Sequence, residues 1–357
     1  MYTKLKSIST TIQKIPLKTP FITALRRVEN VEFVRVEVVC ENGLTAFGEA
    51  PATKAITGED LESITRSIAK VKEELLGLDV RDALFLLHTF KIGSSAKAAL
   101  DMAFVTLNAA QSKQTLLQYL GTQDYSPIQT DITISLNAVD TMLKDAEEAL
   151  QNGYDILKVK LGEDISHAIE VTKRVAKELP KARLLIDANQ AWSLENSLLY
   201  VAAVQDLKIE LIEQPVAAED LQSLKIISKA SKIPILADEA AFTLEDVKYI
   251  YENSCADMIN IKLMKCGGVS KAVEILEYAR EKNITCMLGS MLEGPISISA
   301  AFGLAFAYRD VIEYVDLDSP LLYKFSSSSL CGFAIKRNQI KPSVPAKSEA
   351  ESMPTFA

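Results

Sequence analysis

Three carboxylates recur down the middle of the chain at nearly equal intervals: Asp187 in LLIDAN, Glu213 in LIEQP and Asp238 in ILADE. Each closes a short apolar run. Hard carboxylate oxygens suit Mg²⁺ or Mn²⁺, and three of them leave coordination positions for water and a substrate oxygen, although magnesium sites often use only one or two carboxylates. A single acid at a strand end more often caps the next helix or pairs with a surface lysine. The same placement on three consecutive strands favours a divalent-metal site.

Lysines flank these acids. Lys158 and Lys160 lie two apart in ILKVKL and Lys262 ends MINIKL. Residues two apart on a strand share a face, and with Val159 and Leu161 on the other face both lysines must point into the barrel that these strands would close. Repulsion between them, together with a nearby cation, is expected to lower a lysine pKa so that one amine can serve as a base near neutral pH. Lys262 ends a strand four positions further round, so it and Lys160 can address opposite faces of one carbon. That arrangement suits racemisation or epimerisation, whereas a lone strand-end lysine is more often an ion-pair partner.

Charge counting fits such chemistry. Three lysines and three carboxylates cancel, so a divalent cation leaves the site at +2, or +1 once one lysine is a free base. Removing the α-proton of a bound carboxylate makes an enediolate as the site regains its positive charge, which favours the transition state over the ground state.

The elements that must position these groups are legible. From about residue 131 the chain repeats apolar run, short loop, amphipathic helix, the pattern of parallel βα units. The expected strands are ITISLN (132–137), ILKVKL (156–161), RLLIDAN (183–189), IELIEQP (209–215), IPILADE (233–239), MINIKL (258–263), ITCMLGS (284–290) and VIEYVDLD (311–318). Eight strands at this spacing close a barrel whose C-terminal strand ends form the active face. Asp140 is expected to cap one helix, and Thr243 with Asp246 another. Residues 1–125 read as an α+β domain, with strands around the turn Glu41-Asn42-Gly43 followed by helices from Asp60 to Ala110. The barrel takes 126–322, and 323–357 forms a C-terminal segment returning to the first domain and ending in the loose tail SEAESMPTFA.

With 47 acidic and 39 basic residues the net charge is −8, which argues against nucleic acid and anionic membranes as partners. Five scattered cysteines without a C-x-x-C pair argue against a disulfide framework or a zinc site, so a reducing cytoplasm is expected. The N-terminus lacks a secretory signal pattern and no apolar stretch is long enough to span a bilayer. The two histidines, His88 and His167, lie beside no serine or cysteine nucleophile motif.

The ordered set KVK, DAN, EQP, ADE and NIKLMKCGG resembles the enolase superfamily, in its muconate-lactonizing-enzyme subgroup, over nearly the whole chain. The resemblance implies an α/β fold, a modified TIM barrel (β/α)₇β with an N-terminal α+β capping domain. It implies Asp187, Glu213 and Asp238 as ligands of one Mg²⁺ per subunit, with Mn²⁺ able to substitute. Lys160 and Lys262 would be the acid/base pair, with Lys158 tuning Lys160 and stabilising the enolate. Asp316 and Asp318 in VDLDS match the D-x-D pair with which dipeptide epimerases of the subgroup hold a substrate α-ammonium, although a solvated turn closed on Ser319 is the structural alternative. PFITALR resembles the mobile loop of L-Ala-D/L-Glu epimerases, which makes Arg26, or the adjacent Arg27, the reader of a glutamyl carboxylate. Ser135 is expected to hydrogen-bond substrate unless it is simply a buried strand serine, and Glu293 in GSMLEGP to lie near lysine and substrate. The implied activity is an Mg-dependent dipeptide epimerase, with a small-molecule dipeptide as partner and a homo-oligomer as a possible assembly. o-Succinylbenzoate synthase and N-acylamino-acid racemase are alternatives on the same scaffold, and a non-catalytic binding barrel is a remote one.

Overall fold

The computed structural model describes residues 3–24, 26–324 and 332–343; the tail SEAESMPTFA lies outside them. The chain opens with a three-stranded antiparallel sheet in the order β1 (Leu5–Ile22), β2 (Arg27–Cys40), β3 (Thr45–Pro51). The expected turn joins β2 to β3, where Gly43 N–H returns to Cys40 O at 3.0 Å. The long β1 was not among the expected strands. Its stretch LKSISTTIQKIPLKTPFI is mostly exposed or half-buried and carries two prolines, so little apolar alternation marks it. Four helices follow, α1 (Lys54–Thr57), α2 (Leu61–Leu75), α3 (Val80–Leu87) and α4 (Ser94–Gln111), then the one-turn α5 (Leu116–Tyr119). Asp60 opens α2 in a reciprocal capping box with Ser63. The alanine-rich α4 is buried along most of its length between β3 and the barrel, where small side chains permit close approach.

After the short β4 (Ile128–Gln129), eight parallel strands pair in sequence order: β5 (Ile132–Ile134), β6 (Ile156–Lys160), β7 (Arg183–Asp187), β8 (Ile209–Glu213), β9 (Ile235–Ala237), β10 (Met258–Ile261), β11 (Thr285–Gly289) and β12 (Ile312–Asp316). The seam between first and last is bridged by Asp131 N–H to Val315 O at 3.1 Å and Leu317 N–H to Thr130 Oγ1 at 2.9 Å. Between the strands run α6 (Val139–Gln151), α7 (Ile165–Glu178), α8 (Leu194–Val204), α9 (Leu221–Ala230), α10 (Leu244–Asn253), the one-turn α11 (Leu263–Cys266), α12 (Val269–Lys282) and α13 (Pro295–Ala307). Among the described residues, the helix that follows the eighth strand is the one-turn α14 (Ser319–Leu322). This is the expected α/β architecture, a nearly closed (β/α)₇β barrel beside an N-terminal antiparallel-sheet domain.

Thr243 and Asp246 form the expected capping box on α10. Asp140 does not cap α6: Ala138 holds the cap position, and Asp140 sits in the first turn, where its carboxylate takes Arg174 at 2.6 Å. The strands are shorter than the apolar runs that announced them, so Asp238 and Lys262 fall one residue beyond β9 and β10.

The barrel interior is layered. Ile156, Leu185, Leu211, Leu236, Met258, Met287 and Tyr314 form one buried cluster, one side chain from each of β6 to β12. Two residues further along each chain come Lys158, Asp187, Glu213, Asp238, Asn260, Gly289 and Asp316. The two-residue period of a strand thus lays the polar layer directly on an apolar floor.

The two parts are joined by buried polar contacts. Asp101 on α4 accepts Ser270 N–H at 3.0 Å at the start of α12 and contacts His88 Nε2 at 2.8 Å, while Ser270 Oγ lies 3.2 Å from the same ring nitrogen. His88 therefore does have a serine beside it, but one nitrogen serves both neighbours, which is the geometry of a joint and not of a nucleophile relay. Tyr323 bridges to Leu17 of β1. The described end of the chain forms the hairpin β13 (Phe333–Lys336) and β14 (Gln339–Pro342), which pairs with β4.

Candidate active site

Strand ends bring lysines and acids into one interlocked layer. Lys158 Nζ lies 2.5 Å from Asp316 Oδ2, 2.7 Å from Glu213 Oε2 and 3.3 Å from Asp187 Oδ2. Lys160 donates to Asp187 Oδ2 at 2.6 Å and Lys262 to Asp238 Oδ2 at 2.6 Å. All six of these first-expected lysines and acids are buried. Gly289, at the end of β11, leaves the space this requires: a Cβ there would meet Asn260 Oδ1 at 2.6 Å and Lys262 Cε at 3.0 Å.

Carboxylates dominate the electrostatics of Lys158 and Lys262 in this layer. Burial opposes the Lys158 ammonium, but the carboxylates of Asp316, Glu213 and Asp187 outweigh it and hold its pKa well above the ordinary lysine value. Lys262 is likewise raised, with Asp238 overcoming burial. Among the acids, burial lifts Glu213 to about 7 and Glu239 to about 8, helped by neighbouring carboxylates. Asp187 and Asp238 are lowered despite burial because each faces lysines directly. Burial and mutual repulsion thus raise the acids with less direct lysine contact, while a facing ammonium lowers the others.

Those acids fit a hard cation. Asp187, Glu213 and Asp238 present buried oxygen donors from adjacent strands, and the contact made by Glu213 Oε2 is the Lys158 ammonium at 2.7 Å. As the side chains stand, no group of three or more His, Cys, Asp or Glu among the described residues is spaced to hold an ion. The reason is visible in the pairing: Asp187 is turned onto Lys160, Asp238 onto Lys262 and Lys265, and Glu213 is shared by Lys158 and Asn260.

A cleft of about 570 Å³ opens above this layer. Lys160, Lys262, Asp238, Asp316 and Asp318 line it from the barrel, and Phe21, Thr23 and Arg26 line it from the tip of the β1–β2 hairpin. Of the two candidate arginines, Arg26 faces the cleft, while Arg27 is exposed and pairs with Glu29 at 3.6 Å. Asp318 accepts Thr133 N–H at 2.8 Å, and burial beside Asp316 raises its pKa to about 6. Ser135 does not line the cleft: its Oγ accepts Ile22 N–H at 3.3 Å, and with Leu136 N–H on Ile22 O it ties the base of the hairpin tip to the barrel. Thr133, one inward position earlier on β5, lines the cleft instead. Glu293 is buried behind the lining residues Met291 and Leu292, its carboxylate accepting Met291 N–H at 2.9 Å.

Several groups went unread in the sequence. Lys265, on the turn after Lys262, is buried and bonds Asp238 Oδ1 at 2.6 Å and Asn260 O at 2.8 Å. Asn189 and Glu239 line the cleft and bond each other at 3.3 Å. Asn189 and Gln214, just beyond β7 and β8, take left-handed backbone at φ 43° and 36°, strain of the kind that gathers at functional sites. Asp131 is buried with neither carboxylate oxygen hydrogen-bonded among the described residues. Apart from Asp131, a polar residue one to three positions after each strand-end group was the available signal.

Comparison with known proteins bears on the whole chain. Residues 7–121 match the mandelate racemase / muconate lactonizing enzyme N-terminal domain, and residues 141–331 the enolase C-terminal domain-like family. The L-amino acid-D/L-Glu epimerase of Sulfurimonas denitrificans is 58% identical over 340 residues, covering 95% of this chain and 99% of that protein. A substrate-liganded complex of the L-Ala-D/L-Glu epimerase from Bacillus subtilis superimposes with a TM-score of 0.91 at 36% identity, over 95% of this chain and 96% of that one. A dipeptide epimerase from Enterococcus faecalis, complexed with Mg and the dipeptide L-Leu-L-Tyr, gives 0.88 at 31% identity, over 95% and 97%. With both domain models matched and relatives aligned almost end to end, the chain belongs to the enolase superfamily, in its mandelate racemase / muconate lactonizing enzyme branch.

Proposed function

We propose that this protein is a dipeptide epimerase that moves the α-proton of the C-terminal residue, with L-Ala-D/L-Glu dipeptides as substrates and one Mg²⁺ per subunit, Mn²⁺ substituting. The observation that carries the reading is the lining of one cleft by Lys160 and Lys262, by Asp316 and Asp318, and by Arg26. An acid/base pair, an anionic pair and a cation are what a substrate with a reactive α-carbon, a free ammonium and a side-chain carboxylate requires. The epimerase names carried by relatives at 58% and 38% identity support the same choice.

In this reading Asp187, Glu213 and Asp238 would hold the metal, which when bound would supply Lewis-acid polarisation of the substrate carboxylate. Lys160 removes the proton from the L epimer and Lys262 returns one to the opposite face; the roles exchange for the D epimer. Lys158, buried and held charged, stays protonated and faces the developing negative charge. Asp316 and Asp318 take the substrate ammonium, while Arg26 takes the glutamyl carboxylate. The acidic pair disfavours o-succinylbenzoate synthesis and N-acylamino-acid racemisation, whose substrates bring no free ammonium. A cytoplasmic location agrees with the free thiols of Cys40, Cys255, Cys266 and Cys286, and no helix among the described residues is long and apolar enough to cross a membrane.

A dipeptide library incubated in D₂O and read by mass spectrometry tests the proposal. Deuterium should enter the C-terminal α-position of Glu-ending dipeptides with a free N-terminus. Faster labelling of N-acylated amino acids would overturn it.

A further inference from the structure

The two domains also meet at a buried carboxylate that the proposed chemistry does not use. Glu49 on β3 is fully buried, directly opposite Arg35 on β2. Its Oε1 accepts Arg35 Nε at 3.0 Å and Nη2 at 2.7 Å. Its Oε2 crosses to the barrel and accepts the backbone N–H groups of Ile296 at 2.8 Å and Ser297 at 3.3 Å. Those amides open α13, whose own cap residue, Gly294, supplies no side-chain acceptor. The helix is therefore capped by the other domain. Gly294 permits the approach, since a Cβ there would stand 2.4 Å from Glu49 Oε2 and 2.7 Å from the Phe33 ring.

This contact adjoins one wall of the cleft. The segment 290–292 that precedes it forms one wall of the cleft. Glu293 secures that wall by accepting Met291 N–H and Ser297 Oγ–H. Leu292 packs with Leu17, Val31 and Phe33, side chains of β1 and β2, the same two strands whose joined tip carries Arg26 into the cleft. Wall and tip thus share one packed body with Glu49 at its edge.

We propose that Glu49 is a positioning residue: by capping α13 from the neighbouring domain it fixes the wall at 290–292 and the Arg26 tip together, and so sets the selection of the substrate's side chain. The proposal rests on the dipeptide-epimerase reading above. A displaced tip would weaken the contact made by Arg26 while leaving the lysine pair, on the barrel strands, in place. Selection would fail before proton transfer does.

The test measures kcat and KM separately for L-Ala-L-Glu and L-Ala-L-Gln in wild type, Glu49→Gln and Arg35→Gln. Glu49→Gln should raise KM for the Glu substrate about 10-fold with kcat within about 2-fold, and narrow the Glu-over-Gln preference in proportion. Arg35→Gln, altering only the half-exposed partner, should move both in the same direction by less. Hydrogen exchange read by mass spectrometry judges the clasp without substrate, and Glu49→Gln should speed exchange in 290–297 and 21–26 together. Wild-type KM and preference in both variants would overturn the proposal, as would an equal fall in kcat and kcat/KM or faster exchange confined to 295–297. Coupled exchange in a protein that turns over no dipeptide would instead leave the clasp standing and sink the epimerase reading.

Discussion

Lys262 Nζ lies 2.6 Å from Asp238 Oδ2, each residue one position beyond the end of its strand. Lys160 makes the matching contact with Asp187 at 2.6 Å. The two proposed acid/base lysines therefore belong to different carboxylates, so either can be removed without unpairing the other. Lys262→Ala should abolish interconversion of the epimers yet keep exchange of the L epimer's α-proton with D₂O, measurable by NMR. Interconversion at the wild-type rate would rule out the opposed pair.

Metal removal should stop turnover. The three strand-end acids present oxygen donors, so exhaustive chelation should eliminate activity and Mg²⁺ should restore it. Asp238→Asn should weaken Mg²⁺ binding in calorimetry as well as turnover, because a neutral amide offers the ion less charge. Full activity in metal-free protein, verified by elemental analysis, would refute the assignment.

Arg26 and Arg27 separate cleanly in space, and so should their mutants. Arg26→Ala should erase the preference for Glu over Gln, a loss of a charge-assisted contact worth roughly 1.5–3 kcal/mol, about 10- to 100-fold in kcat/KM. Arg27→Ala should leave that preference intact. N-acetylation of the dipeptide should cost a similar factor through Asp316 and Asp318; a preference that survives Arg26→Ala would move the carboxylate reader elsewhere.

Buried acids that are raised in the folded state make stability fall as pH rises. Glu293 is lifted to about 7 and Asp318 to about 6, both chiefly by burial. An unfolded carboxyl titrates near 4, so between about pH 4 and 7 the native state holds protons that the unfolded state has lost, and that stabilisation disappears as pH passes through the folded values. Urea unfolding should therefore give a lower midpoint at pH 8 than at pH 5, with a smaller difference in Glu293→Gln. An unchanged pH dependence in that variant would assign the effect to other groups.

What the linear order of residues determined was periodic and local. Strand-end acids at a regular interval, a lysine pair two apart and eight apolar runs separated by helices identify the barrel and its polar layer, because strand period and βα length are properties of the chain itself. The capping box at Thr243 and Asp246 was legible for the same reason. The long β1 was not, since its partner is β2 and its own pattern is weak. Tertiary structure alone decided which neighbours face the cleft: Thr133 and not Ser135, Arg26 and not Arg27. Strand twist, hairpin exit and the close packing of two domains set those directions, and they also carry Lys265 onto Asp238 and Glu49 across to α13. Charge balance was decided there too. Repulsion between two lysines is visible in a sequence, but the three carboxylates that reverse it at Lys158 arrive from β7, β8 and β12, strands that only barrel closure brings together.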